Sequence, residues 1–246
     1  MKAQTLCVQL EQLLTLGVSP HRAGVYDLDL SKIPEGSFSF ISRSLLDVET
    51  KDSTYAEIAL NNPQILAYTF AYTRKDGDIK FLQYTRPPTD DGEQRLVDLK
   101  SIGFGGHVDL GDVTVKLGEK LNTLFDVKQT LAKSVIRELA EELVIPLSWL
   151  EREYFRLKTS RLVCYDKLIS DPRKSSTNPN AIEVGETHRA VVWGLDLTNI
   201  ENSISHTSEI GKVKWVGVDE LKDELRTHET WSQLLITDFI GSVEGF

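Results

Sequence analysis

Arg137, Glu138, Glu141 and Glu142 put one guanidinium and three carboxylates into a helix-forming stretch that runs from Ser134 to Pro146. With Glu138 at zero on a wheel of about 100° per residue, Glu142 falls at roughly 40° and Glu141 at roughly −60°. Ala132, Ile136, Leu139 and Leu143 gather between roughly 100° and 160°. The spacing predicts a helix whose apolar side is buried and whose acidic side faces a cleft or water. Clustered carboxylates repel one another, and a merely solvated acidic face would intersperse lysines at i,i+4. Arg137 is the one cation within this cluster, and the pattern reads as a metal site. A solvated charged face is the alternative.

The elements that must position these groups are legible nearby. Asp126 followed by Gln129 predicts a capping box, and Pro146 pushes Ile145 out of helical geometry, so the helix should run from about Val127 to Val144. Upstream, Gly103-Phe104-Gly105-Gly106-His107-Val108-Asp109-Leu110-Gly111-Asp112 reads as a strand exit with paired glycines, followed by an acid.

Together the two pieces resemble the Nudix box, Gly-x5-Glu-x7-Arg-Glu-apolar-x-Glu-Glu-x-Gly-apolar, at Gly106, Arg137, Glu138, Leu139, Glu141, Glu142 and Ile145. Asp112 stands where the pattern has Glu. Between Asp112 and Arg137 lie 24 residues where the pattern has seven, so 113–125 reads as an insertion. Val144 stands where the pattern has Gly; a β-branched residue resists the left-handed conformation, so the helix exit is expected to differ there. Tyr84-Thr85-Arg86, Gly92-Glu93-Gln94-Arg95-Leu96 and Ser101-Ile102-Gly103 resemble a less common Nudix branch of predicted phosphoesterases.

The resemblance implies an α/β fold, an α/β/α sandwich with a mixed sheet and a catalytic loop-helix-loop. It also implies a hydrolase that cleaves a diphosphate linkage in a nucleoside diphosphate derivative. Glu138, Glu141, Glu142 and the Gly105 carbonyl would hold Mg2+ or Mn2+, hard ions suited to oxygen donors. One of the glutamates would orient or deprotonate the attacking water. Arg137 would pair with Asp112 to hold the helix to the loop, with Gly106 as site support. His107, His188, Glu183 and Glu186 are candidate substrate contacts, although a lone His beside a strand is more often structural. The competing reading is a non-catalytic ligand-sensing module on the same fold. An isomerase would need a reactive cysteine, and Cys164 in an apolar strand suits that poorly.

The chain of 246 residues, 40% hydrophobic and 26% charged, can bury a sizeable core. Its formal charge of −9 argues against nonspecific nucleic-acid binding, since no basic stripe is available to displace phosphate counterions. The expected partner is a small-molecule diphosphate that a cation bridges to this acidic chain. Two cysteines without paired spacing suggest neither a zinc site nor a disulfide framework, and a cytoplasmic setting is expected. No signal peptide or membrane span is read.

Gln4 to Leu16 spaces its leucines like a helix, Ser37 to Ile41 alternates like a strand, and a short helix runs from Ser53 to about Leu60. A hairpin with an Asp76-Gly77 turn joins Ile65–Thr73 to Ile79–Thr85. Strands are expected at Arg95–Lys100, Ile102–Val108, Tyr154–Tyr165, His188–Leu197 and Lys212–Val216, and a polar loop at Leu168–Gly185. Asp219 should cap a short helix, and Thr230–Ile240 closes the chain with an amphipathic one. Residues 1–60 are taken as an N-terminal extension packed on a Nudix-like domain of 61–246, and could serve a homodimer or substrate selection.

Overall fold

The structure is a computed structural model and describes residues 3–19, 23–27, 29, 32–46, 53–88, 96–115, 126–153, 161–164, 182, 184–201, 204–207 and 210–240. In chain order the elements are β1 (Gln4–Val8), α1 (Leu10–Thr15), β2 (Gly24–Asp27), β3 (Phe38–Ser42) and α2 (Ser53–Asn61). Then come β4 (Gln64–Lys75), β5 (Asp78–Thr85), β6 (Lys100–Ser101), β7 (Gly103–His107), α3 (Val127–Leu143) and α4 (Leu147–Glu153). The described chain closes with β8 (Arg161–Cys164), β9 (His188–Asp196), β10 (Val213–Gly217), α5 (Val218–Asp223) and α6 (Thr230–Leu234), which widens into a π-type turn over Leu235–Ile240.

Among the described residues ten strands join one sheet, and β4 is its axis. Along one edge β4 runs parallel to β9 from Gln64 to Tyr72. Its other edge is shared in halves: residues 66–70 pair with β7 and residues 72–75 with β5, both antiparallel. The chain therefore changes partner between β6 and β7, since Ser101 is opposite Tyr84 of β5 while Gly103 is opposite Phe70 of β4.

Each face of the sheet carries its own core, so the fold is an α/β/α sandwich. One core gathers Leu6, Ile65, Ala67, Leu82, Phe104, Val191 and Trp193 against Leu131, Val135 and Leu139 of α3. The other joins Tyr68, Phe70, Phe81, Ile102, Ala190 and Val192 to Leu221, Leu234 and Leu235 of α5, α6 and the turn after it.

Several expectations need correction. The leucine spacing of Gln4–Leu16 suggests one helix, but Gln4–Val8 is a strand, its edges taken by β3 and by a contact with β4; only Leu10–Thr15 is helical. Residues 96–99, expected as strand, form a turn in which Asp98 has φ 65°. Gly217, not Asp219, is the N-cap of α5; Asp219 lies in its first turn, where its charge suits the helix dipole. The hairpin turn is as read, with positive φ at both Asp76 and Gly77. Residues 154–160, 165–181 and Glu183, with the strand and loop expectations that fall on them, lie outside the described residues. Strands of the first 60 residues are hydrogen-bonded into the sheet, β1 to β4 and β2 to β8. Among the described residues no helix is long and apolar enough to cross a membrane.

Candidate active site

The acidic helix begins at Val127 as its sequence indicates, but only the Asp126 half of the expected capping box forms. Asp126 is extended and its side chain accepts Gln129 N at 3.0 Å, satisfying one of the free amides of the first turn. Asp126 N also donates to Thr114 O at 2.7 Å, so the chain returns to within one hydrogen bond of the point it left. Of the expected insertion, 116–125 lies outside the described residues.

The helix exit is not as expected. Val144 adopts the left-handed conformation, φ 50° and ψ 34°, in the place where the pattern has glycine. It is held there because its neighbours Leu143 and Ile145 are both buried, while its own side chain is exposed. A β-branched residue in that region costs on the order of 1 kcal/mol.

The apolar side of α3 is buried as expected at Ala132, Leu139 and Leu143, with Ile136 half-buried. Val127, Leu131 and Val135 are buried too, on the angular stripe that continues into Glu138 and Glu142. Glu138 and Glu142 are thus turned inward, toward the glycine strand, and Glu141 alone of the three is exposed. The buried face of α3 is therefore wider than its apolar side: beside Leu139 and Leu143 it includes a stripe that changes from apolar to acidic.

The glycines of β7 make this possible. Gly105 has φ 137°, and a Cβ there would run into the Ala67 carbonyl. Its N–H donates to Glu142 Oε2 at 2.9 Å. A Cβ at Gly106 would lie 2.8 Å from Glu138 Oε1, so the carboxylate rests against bare backbone.

Arg137 ties the parts together. Its Nε and Nη2 donate to the two oxygens of Asp112, each at 3.0 Å, and Nη2 also reaches His107 O at 3.0 Å. Its Nη1 lies 2.9 Å from Glu138 Oε1 and 3.1 Å from Glu141 Oε2. Asp112 is buried and also accepts Asp109 N at 3.0 Å. Three carboxylates thus share one guanidinium. Burial pushes the Glu138 carboxyl up to about 7; Arg137 opposes that rise while Glu141 and Asp112 add to it.

Among the described residues no three His, Cys, Asp or Glu groups converge closely enough to hold an ion. Arg137 stands between Glu138 and Glu141, and Glu142 is turned to the Gly105 amide. The chemistry of the donor set nevertheless fits a hard cation: the groups gathered are oxygens, and a carboxyl raised to about 7 is one that a neighbouring dication would ionise.

The remaining candidates lie elsewhere. Phe104 and Gly106 face α3, so by alternation Gly103, Gly105 and His107 face the opposite layer. There His107 meets His188 edge to face, ring centroids 5.6 Å apart. Burial, then the charges of His188 and Arg43, bring His107 down to about 3, so it is neutral at physiological pH. Glu186 occupies the turn before β9, where its carbonyl accepts Arg189 Nη1 at 3.0 Å. Sequence reasoning missed Glu229, Ser232 and Tyr68, a polar group on the α6 face; the Arg86 and Ser101 it had singled out turn out to be their partners.

No family model matches the chain, and no curated protein matches it in sequence. In structure it is similar to Tm1382, described as a candidate Nudix hydrolase, at 16% identity and a TM-score of 0.58, over 98% of this chain and 100% of that one. A bifunctional NMN adenylyltransferase/ADP ribose pyrophosphatase from Francisella tularensis, complexed with AMP and a Mn ion, matches at 15% identity and a TM-score of 0.45, over 81% and 46%. A C. elegans Ap4A hydrolase matches at 16% identity and a TM-score of 0.42, over 74% and 98%. The similarity to Tm1382 carries one conclusion, that this chain has a Nudix-like fold.

Proposed function

We propose that the protein is a metal-dependent hydrolase that cleaves a diphosphate linkage in a nucleoside diphosphate derivative. The observation that supports this most is the crowding of Glu138, Glu141 and Asp112 around the guanidinium of Arg137, with Glu142 held on the Gly105 amide of the same bare glycine backbone. An arrangement kept only for stability would balance its charges, because unbalanced buried carboxylates are costly. In this reading Glu138, Glu141, Glu142 and the Gly105 carbonyl would hold Mg2+ or Mn2+. Such an ion, when bound, neutralises the diphosphate and makes a water more acidic.

The chain's own groups then have distinct tasks. Arg137 and Asp112 fix α3 against the loop. Gly106 lets Glu138 approach the backbone, and Glu138 or Glu141 receives or orients the proton of the attacking water. His107, which is neutral, is a proposed substrate contact, and so are His188 and Glu186. The partner is a small-molecule diphosphate and no nucleic acid, and the setting is cytoplasmic; residues 1–60 are proposed to serve a homodimer.

The engagement of Glu138 and Glu141 with Arg137 favours a second reading, a ligand-sensing module without turnover. A panel of nucleoside diphosphate derivatives, with Mg2+ or Mn2+ and with chelator, separates the two. Release of phosphate-containing products that chelation stops and added cation restores supports the hydrolase. Cation-independent binding with no product supports the sensor.

A further inference from the structure

At the change of partner between β6 and β7, Ile102 N and Gly103 N need acceptors other than a strand carbonyl. They find hydroxyls: Ile102 N donates to Ser232 Oγ and Gly103 N to Ser101 Oγ, both at 3.1 Å. Behind these hydroxyls stands Glu229, 5% exposed. Its carboxylate accepts Arg86 Nε at 2.7 Å, Ser101 Oγ at 2.7 Å and Tyr68 Oη at 2.8 Å. Burial pushes this carboxyl up, but the charge of Arg86 and the three donors outweigh it and hold it below the usual glutamate value. Burial and the Glu229 charge push Tyr68 well up, so the phenol keeps its proton.

An ionised carboxylate sets the direction of each surrounding proton. Ser101 and Tyr68 give theirs to Glu229, so the Ser101 oxygen is left to accept Gly103 N. Ser232, 3.1 Å from Tyr68 Oη, gives its proton there and keeps its oxygen for Ile102 N. Tyr84 Oη donates to Gly103 O at 3.2 Å, and a Cβ at Gly103 would run into the Tyr68 ring. Two residues on, the same strand presents Gly105 N to Glu142 and bare backbone at Gly106 to Glu138.

We propose that Glu229 is a positioning residue for the carboxylate site: through Ser101, Ser232 and Tyr68 it fixes the Ile102–Gly103 backbone, and with it the Gly105–Gly106 backbone against Glu142 and Glu138. This rests on the reading of that site as cation-binding. Glu229→Gln tests it, because the amide must point a donor at Arg86 or at the two hydroxyls. Glu201→Gln is the control; Glu201 accepts Thr73 Oγ1 at 2.7 Å, beyond the part of β4 that pairs with β7.

The measurements are Mn2+ affinity without substrate, by electron paramagnetic resonance, hydrogen exchange at Ile102 and Gly103, and the thermal midpoint. Glu229→Gln should weaken Mn2+ binding about ten-fold and speed exchange at both amides. Glu201→Gln should leave Mn2+ binding unchanged whatever its midpoint. Should Glu229→Gln not fold, Ser101→Ala removes the acceptor of Gly103 N and carries the same expectation. A folded variant that binds Mn2+ within about two-fold of the parent, or an equal weakening in Glu201→Gln, overturns the positioning role and leaves the site reading standing. A parent protein that binds no Mn2+ overturns the site reading, and this inference with it.

Discussion

Two guanidinium–carboxylate assemblies flank the same glycine strand, and they are opposites in how their charge is balanced. On the α3 side Arg137 serves three carboxylates, Asp112, Glu138 and Glu141, and Glu138 is raised to about 7. On the α6 side Arg86 pairs, among the described residues, with the one carboxylate of Glu229, two hydroxyl donors complete the carboxylate's shell, and its pKa is lowered. Burial acts on both carboxyls in the same sense; what differs is the supply of positive charge and of hydroxyl donors. A balanced shell stabilises what is already present. An unbalanced one has affinity left for a cation.

The largest effect should come from the unbalanced side. Glu142→Gln keeps an oxygen for Gly105 N and removes a charge, so kcat should fall about 100-fold or more while the far-ultraviolet circular dichroism is unchanged. Undiminished turnover would remove Glu142 from the site.

Next is the balanced side. Arg86→Met leaves Glu229 buried with no cation, which should cost about 3 kcal/mol in denaturant unfolding. A loss as small as that of an exposed ion pair would mean that the two assemblies are not opposites after all.

The same contrast predicts a pH dependence. Because the folded pKa of Glu229 is lowered, its contribution to stability is complete above the unfolded glutamate pKa and is lost as pH falls through the folded value. The groups around it are Arg86, Tyr68, Ser101 and Ser232, and its charge also acts on Tyr84 and His228. Thermal midpoints should therefore fall in acid for the parent protein and less steeply for Glu229→Gln. Parallel curves would show that Glu229 is not held low.

The smallest effect concerns the exit of α3. Val144→Gly relieves a left-handed β-branched residue and should raise stability by up to about 1 kcal/mol, with Mn2+ affinity unchanged.

How much of this was legible in the sequence follows from the range of each interaction. The Asp126 cap, the Asp76-Gly77 turn and the extent of α3 depend on neighbours a few residues away, and the sequence displays them directly. The β1 strand was not legible, because Leu6, Leu10, Leu13 and Leu14 mimic a helix while the pairing that makes a strand lies with β3. Glu229 was invisible for the same reason: Tyr68, Arg86 and Ser101 are 161, 143 and 128 residues away from it in sequence. The pairing of Arg137 with Asp112, by contrast, was expected from a motif and is seen in the geometry. What the motif could not convey is that Glu138 and Glu142 continue the buried stripe of Val127, Leu131 and Val135.

The central claim is that the unbalanced assembly breaks a phosphoanhydride bond by substitution at phosphorus. The most direct test runs the reaction on a turned-over nucleoside diphosphate derivative with Mg2+ in isotopically labelled water, and locates the label by mass spectrometry. The account predicts one solvent oxygen on a phosphoryl group of one product, whose position names the phosphorus attacked. Label on carbon, or rearranged substrate carrying no label, would contradict it.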